Sequence, residues 1–141
     1  MRILIAVDGS AVSLASVNSL VAHIRWFRET PELHLLHVHP PVPVGLATRH
    51  VSHDVLEAYY REEGEAALAA ARALLDAAQL PYVLHLHVGQ PAETIVSLSR
   101  ELECDLISMG SHGRGALPNA VLGSVATKVL HLSAVPVLLA K

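Results

Sequence analysis

The chain has 141 residues, enough for one sizeable core, and a single domain over 1–141 is expected. Apolar residues make up 52% and charged residues 16%, which leaves disorder improbable, and a net charge of −3 with no basic run argues against nucleic acid as a partner. Mean hydropathy is +0.42, yet no apolar stretch approaches the ~20 residues of a membrane span. The opening "MRILIAVDGS" lacks the length and small-residue cleavage site of a signal peptide, so a soluble, cytoplasmic protein is expected. The one cysteine, Cys104, excludes an internal disulfide and reads as a buried, inert thiol.

In chain order, "RILIAVD" (2–8) is a compact apolar run ending at Asp8-Gly9-Ser10, the pattern of a buried strand meeting a turn. Leu14, Val17, Val21 and Ile24 then recur at helical spacing, with Ser10 or Ser13 as cap, until Pro31 breaks the pattern. "LHLLHVH" (33–39) is a second strand, stopped by the prolines of "PPVPVG", and 40–51 is a loop. A long helix over 52–79 is rich in alanine, leucine and glutamate, with Gly64 as its weak point. A third strand follows over 82–88, then a helix with Pro91 in its first turn. The fourth strand, 105–109, leads into a glycine-rich loop. A helix over 124–131 and a strand over 135–140 complete the chain.

Strict alternation with nearly all-apolar strands predicts a parallel five-stranded sheet with helices on both faces. Right-handed crossovers leave two common strand orders, 2-1-3-4-5 and 3-2-1-4-5. In the second, winding reverses between strands 1 and 4, and Asp8 then shares a crevice with the glycine loop. Composition alone leaves both orders open.

The glycine loop, "MGSHGRGALPNAVLGSVATK" (109–128), has the parts of a phosphate cradle. Gly110 follows the strand, where glycine allows a tight turn and positive φ. Gly113 and Gly115 leave backbone N–H groups unshielded. Gly123-Ser124 opens a helix whose free N–H groups and positive dipole end attract anions. No G-x-x-x-x-G-K-[ST] or G-x-G-x-x-G is present, so ordinary P-loop and dinucleotide fingerprints do not apply.

The spacing Gly110-x2-Gly113-x9-Gly123-Ser124 resembles the signature of the ATP-binding branch of the universal stress protein family. "ILIAVDGS", "LHLLHVHP", "DLISMGSHGRG" and "SAVPVLLAK" are similar to the same family, so the resemblance spans the chain. It implies the 3-2-1-4-5 order, in a Rossmann-like fold of the adenine nucleotide alpha hydrolase type. It also implies a homodimer through the last strand, Val135 to Ala140. The implied ligand is ATP, with Mg²⁺ or Mn²⁺, as a regulatory ligand of a stress-response protein. By the same resemblance Gly110, Gly113, Gly123 and Ser124 hold phosphates and ribose. Ser111, His112 and Arg114 lie within the loop beside Met109, in reach of phosphates, and Val125 and Ala126 offer N–H groups. Asp8 is expected near the nucleotide, Ala6 and Val7 along the base pocket, and Val38 where backbone reads adenine. Gly115 lies outside the signature.

Three features carry other readings. Ser111-His112 suggests a nucleophile–base pair, but adjacent residues seldom supply that geometry and no third partner is visible. His37 and His39 alternate on strand two, and His85 and His87 on strand three. All four are expected on one face, where a metal site is conceivable but no carboxylate or cysteine completes a set. Tyr59 and Tyr60 read as a packing face of the long helix, and "EEGE" as a solvated one. Enzymatic action, as slow ATP hydrolysis or phosphotransfer, and a nucleotide-free dimerisation module are the alternatives to a regulatory ATP site.

Overall fold

A computed structural model of the chain describes residues 1–43, 45, 50–113 and 122–141. Five strands, β1 (Arg2–Ala6), β2 (Glu32–His39), β3 (Tyr82–Val88), β4 (Leu106–Gly110) and β5 (Val137–Ala140), form one parallel sheet in the order β3-β2-β1-β4-β5. The helices are α1 (Ala11–Ala22), α2 (His53–Ala77), α3 (Pro91–Glu101) and α4 (Ser124–Leu132). No described helix is long and apolar enough to cross a membrane.

Strand periodicity divides the core in two. Ile3, Ile5, Val7, Leu33 and Leu35 point to one face and pack on Val17 and Leu20 of α1 and Leu68, Ala71 and Leu75 of α2. Leu4, Ala6, Leu36, Val38, Ile107 and Met109 point to the other and meet Ile95 and Val96 of α3 and Ala126 and Val129 of α4. The central strands are largely apolar on both sides because both of their faces are covered, with His34, His37 and Ser108 as their buried polar residues.

Helix ends show where local chemistry acts. Ser10 caps α1, its hydroxyl accepting from the Ser13 N–H at 3.2 Å. The sequence predicts α1 running on towards Pro31, but it stops at Ala22. The His23 N–H is shared between the Ser19 and Leu20 carbonyls, and the His23 Nδ1–H donates to Ser19 O at 2.7 Å. With its last turn tightened and satisfied, the chain passes into a 3₁₀ turn, Ile24–Trp26. Two helices end in a left-handed residue other than glycine: Gln79 (φ 55°) after α2 and Glu103 (φ 51°) after α3. The Leu80 N–H reaches Leu75 O and the Cys104 N–H reaches Ser99 O, the Schellman pattern.

Strand β5 begins at Val137 rather than Val135. Ser133 Oγ accepts from Val135 N–H and donates to Val135 O, closing a small turn, and Pro136 has no N–H to give to a ladder. Gly64, the weak point of α2, is where Leu86 of β3 reaches the helix: a Cβ there would stand 2.6 Å from Leu86 Cδ2.

Candidate functional site

The carboxyl ends of β1, β2 and β4 and the start of α4 open onto one cavity of about 640 Å³. It lies at the point where winding reverses between β1 and β4, the place where doubly wound sheets take ligands. Its volume is in the range of small-molecule pockets.

On the β1 side, the turn at Asp8 is tightly specified. Asp8 Oδ1 accepts from the Ser10 N–H at 2.9 Å, and Gly9 adopts φ 79°, a value that glycine reaches without strain. Asp8 Oδ2 points across the crevice, only 2.6 Å from where a Cβ on Gly113 would stand. The oxygen of Asp8 that supports the turn is therefore not the one that faces Gly113.

On the β4 side, Ser111 is a junction. Its N–H donates to Ala140 O of β5 and its carbonyl accepts from the Gly123 N–H, both at 2.8 Å. The second bond draws the start of α4 against the end of β4 although eleven residues separate them. Gly123, not Ser124, is the N-cap of α4, and no side chain caps that end. A Cβ on Gly123 would lie 3.2 Å from His112 Cα, so the approach of the two segments favours glycine.

Gly110 has a role different from the turn expected of it. Its φ is not positive. A Cβ on it would meet Ser13 N at 2.9 Å, Val12 C at 3.0 Å and Ser13 Cα at 3.1 Å, all backbone of α1. Glycine here lets α1 cross the end of β4, which is what brings Asp8 beside the glycine loop.

Ala6, Val7, Asp8, Val38, Met109, Gly110, His112, Gly113, Gly123, Ser124, Val125 and Ala126 all line the cavity. Ser111 does not: it is 1% exposed and lies beneath the lining. Arg114, Gly115 and the rest of 114–121 lie outside the described residues. Sequence reasoning passed over Ser13, Leu36, His37, His39, Glu63 and Ile95, which also line it. The β2 residues were within reach once β2 neighbours β1. Glu63 lies in the middle of a long helix and carries no local signal.

Ser111 Oγ lies 2.9 Å from His112 Nδ1, so the geometry that adjacent residues seldom supply is present. With Ser111 closed off from the cavity, the contact orients the His112 ring rather than presenting a nucleophile.

The four histidines expected on one face are divided by strand register. His85 pairs with Leu36 and His87 with Val38, placing both on the α3/α4 face. His37 and His39 alternate with these partners and point to the α1/α2 face. His37 donates from Nδ1 to Val7 O at 2.9 Å. The partner of His85 is instead His34, with Nδ1 to Nε2 at 3.0 Å, and His34 Nε2 lies 3.2 Å from Glu32 Oε1. Burial lowers the His85 pKa, and the neighbouring His34 and His87 lower it further. Among the described residues only His53, Asp54 and Glu57 gather as metal ligands would, and all three are exposed. Cys104 is 4% exposed, and burial raises its thiol pKa, as befits an inert thiol.

The model of the universal stress protein family matches residues 1–141. Universal stress protein MJ0531 of Methanocaldococcus jannaschii is 30% identical over 141 residues, covering 99% of this chain and 81% of that protein. Among solved structures, that of MJ0577 superposes with a TM-score of 0.77 at 26% identity, covering 99% of this chain and 94% of the other. Two more share the fold: a universal stress protein in complex with cAMP (TM-score 0.68, 24% identity, 100% and 97% covered) and one from Archaeoglobus fulgidus in complex with dAMP (TM-score 0.70, 21% identity, 100% and 98% covered).

Proposed function

This chain belongs to the universal stress protein family, and on that premise we propose that it is an ATP-binding member. Its output is a change in conformation or partner binding rather than turnover. The observation that carries the reading is the meeting of an uncapped helix start with the glycine-lined end of β4 in one cavity, beside the ends of β1 and β2. The N–H groups of Ser124, Val125 and Ala126 supply an anion site without any lysine. Family members of the same fold hold cAMP and dAMP, which supports an adenine nucleotide.

The residues fit that ligand. Ala6, Val7 and Val38 give the apolar walls a base needs. Gly113, Gly123 and Ser124, with His112 and Arg114, take the phosphates and ribose, and Gly110 serves the crevice by giving α1 clearance. A Cβ at Gly113 would fill the cradle next to Asp8. Bound Mg²⁺ or Mn²⁺ neutralises phosphate charge, and Asp8 is the carboxylate of the phosphate side that can hold it. The protein works in the cytoplasm as one domain and as a homodimer. Its interface is the edge formed by Val135 to Ala140, where Leu138 is 43% exposed and β5 is an edge strand among the described residues.

Titration calorimetry with Mg·ATP tests the reading. We expect one ATP per subunit, and loss of binding in Gly113→Val, whose side chain occupies the crevice against Asp8. Undiminished affinity in a folded Gly113→Val protein would refute the site.

A further inference from the structure

The edge of the sheet opposite β5 carries a second polar group, outside the cavity and on the α3/α4 face. His34 pairs with Val83 across the β2–β3 ladder and His85 with Leu36, so His34, His85 and His87 stand on one face of two neighbouring strands. His34 is 5% exposed, His85 half-buried and His87 exposed. Among the described residues β3 is an edge strand, and Val83 on this face is 48% exposed, so the group opens to solvent from the β3 side.

The neighbours fix where the hydrogens lie. His34 Nε2 is buried without a hydrogen bond of good geometry and lies 3.2 Å from Glu32 Oε1, while the other oxygen of that carboxylate accepts from Arg2 Nε at 3.2 Å. A carboxylate only accepts, so the His34 proton sits on Nε2 and Nδ1 presents a lone pair. That lone pair faces His85 Nε2 at 3.0 Å, and a single hydrogen joins the two rings. Burial lowers the His85 pKa, and His34 and His87 lower it further. The Glu101 charge at the end of α3 acts the other way without reversing the shift. The His85 ring is therefore neutral at pH 7, the form that binds metal.

A metal-bound histidine usually donates its other N–H to a carboxylate, which fixes its tautomer and orientation, and Glu32 stands in that place behind His34. Two imidazole nitrogens ~2.0–2.1 Å from one zinc ion lie ~3.3 Å apart at the tetrahedral angle, so His34 and His85 need ~0.3 Å and a tilt of both rings to share an ion. The hydrogen between them moves to His85 Nδ1, and no proton has to leave. The His87 ring, its centroid 6.4 Å from that of His85, turns about its own side-chain bonds to supply a third nitrogen. Water takes the fourth position, and the Glu101 charge favours a cation there.

We propose that His34, His85 and His87 form a binding site for Zn²⁺, with Glu32 as the positioning residue behind His34. An all-imidazole set suits zinc and is poor for Mg²⁺. A hydrogen-bonded pair kept for packing alone needs neither a carboxylate behind one ring nor a third histidine beside the other. None of these residues lines the nucleotide cavity, so the site stands or falls independently of the nucleotide reading.

Calorimetric titration of the untagged full chain with zinc chloride, without nucleotide, tests it. We expect one Zn²⁺ per chain, not displaced by excess Mg²⁺. His85→Ala should abolish binding. His87→Ala, at an exposed position, should leave the fold intact by circular dichroism and weaken binding at least about tenfold. Glu32→Gln should weaken it about 10–100-fold, the range for outer carboxylates. Co²⁺ in place of Zn²⁺ should give the visible absorption of a tetrahedral site, and Glu32→Gln should shift those bands, which a merely structural role would leave alone. His53→Ala, in the exposed group with Asp54 and Glu57, should change nothing. No Zn²⁺ bound by the wild type, or affinity unchanged in either His85→Ala or His87→Ala, overturns the site. Binding lost in His53→Ala assigns the ion to α2 and overturns it as well.

Discussion

Gly110→Ala separates two explanations of a signature glycine. If Gly110 serves the phosphates, an added methyl costs affinity. In the structure that methyl meets α1 instead: Ser13 N at 2.9 Å, Val12 C at 3.0 Å and Ser13 Cα at 3.1 Å. Ordinary contact begins near 3.4 Å, so α1 must withdraw by some tenths of an ångström, and no rotamer change relieves backbone atoms. Overpacking of this kind costs ~1–3 kcal/mol. Alanine recovers ~0.5–1 kcal/mol of chain entropy, leaving a net loss of ~1–2 kcal/mol. At ~2.1 cal/mol/K per residue, a chain of this length has an unfolding entropy near 0.3 kcal/mol/K, so Tm should fall by about 3–7 °C. Thermal melts followed by circular dichroism, with urea titrations alongside, read this directly. An unchanged Tm together with weakened ATP binding would refute the reasoning and return Gly110 to the ligand.

Other outcomes follow from the same contacts. Gln79→Gly relieves a left-handed residue at the end of α2 while leaving the Leu80–Leu75 backbone bond in place; urea denaturation should show a gain of up to ~1 kcal/mol. A loss instead would mean that the Gln79 side chain contributes more than its backbone strain costs. Cys104 should resist iodoacetamide at pH 8 in the native protein and react at least about tenfold faster after unfolding, because burial both covers the thiol and raises its pKa. Equal rates in the two states would contradict its burial.

Much of the fold is legible in one dimension. Apolar runs such as 33–39 and 82–88 appear as β2 and β3 nearly residue for residue, because the backbone there has no competing local partner. The cap of α1 was narrowed to Ser10 or Ser13 for the same reason, since a hydroxyl and the N–H it accepts from lie within one turn, and Ser10 is the one that caps. The end of α1 was not legible. It depends on the His23 ring bonding back to Ser19 in place of further helix.

The site divides along the same line. Glycine spacing, the helix start after Gly123 and the acidic turn at Asp8 are local, and they nominated the glycine loop; the crevice and the rest of its lining followed from the family resemblance. Contacts across the sheet depend on strand order and register, which no periodicity encodes. Register sends His85 and His87 to the face opposite His37 and His39, and gives His85 the unanticipated partner His34. Tertiary approach alone turns Gly110 into a clearance for α1, brings Ser111 under the lining as a three-way junction, and sets Glu63 of a distant helix at the far end of the cavity. The amino-acid sequence by itself determined which segments are strands and helices and where the glycines of the cavity fall, because both follow from neighbours along the chain. The tertiary structure decided what each of those residues touches, because the cavity is assembled from seven segments that meet only once β2, β1 and β4 lie side by side.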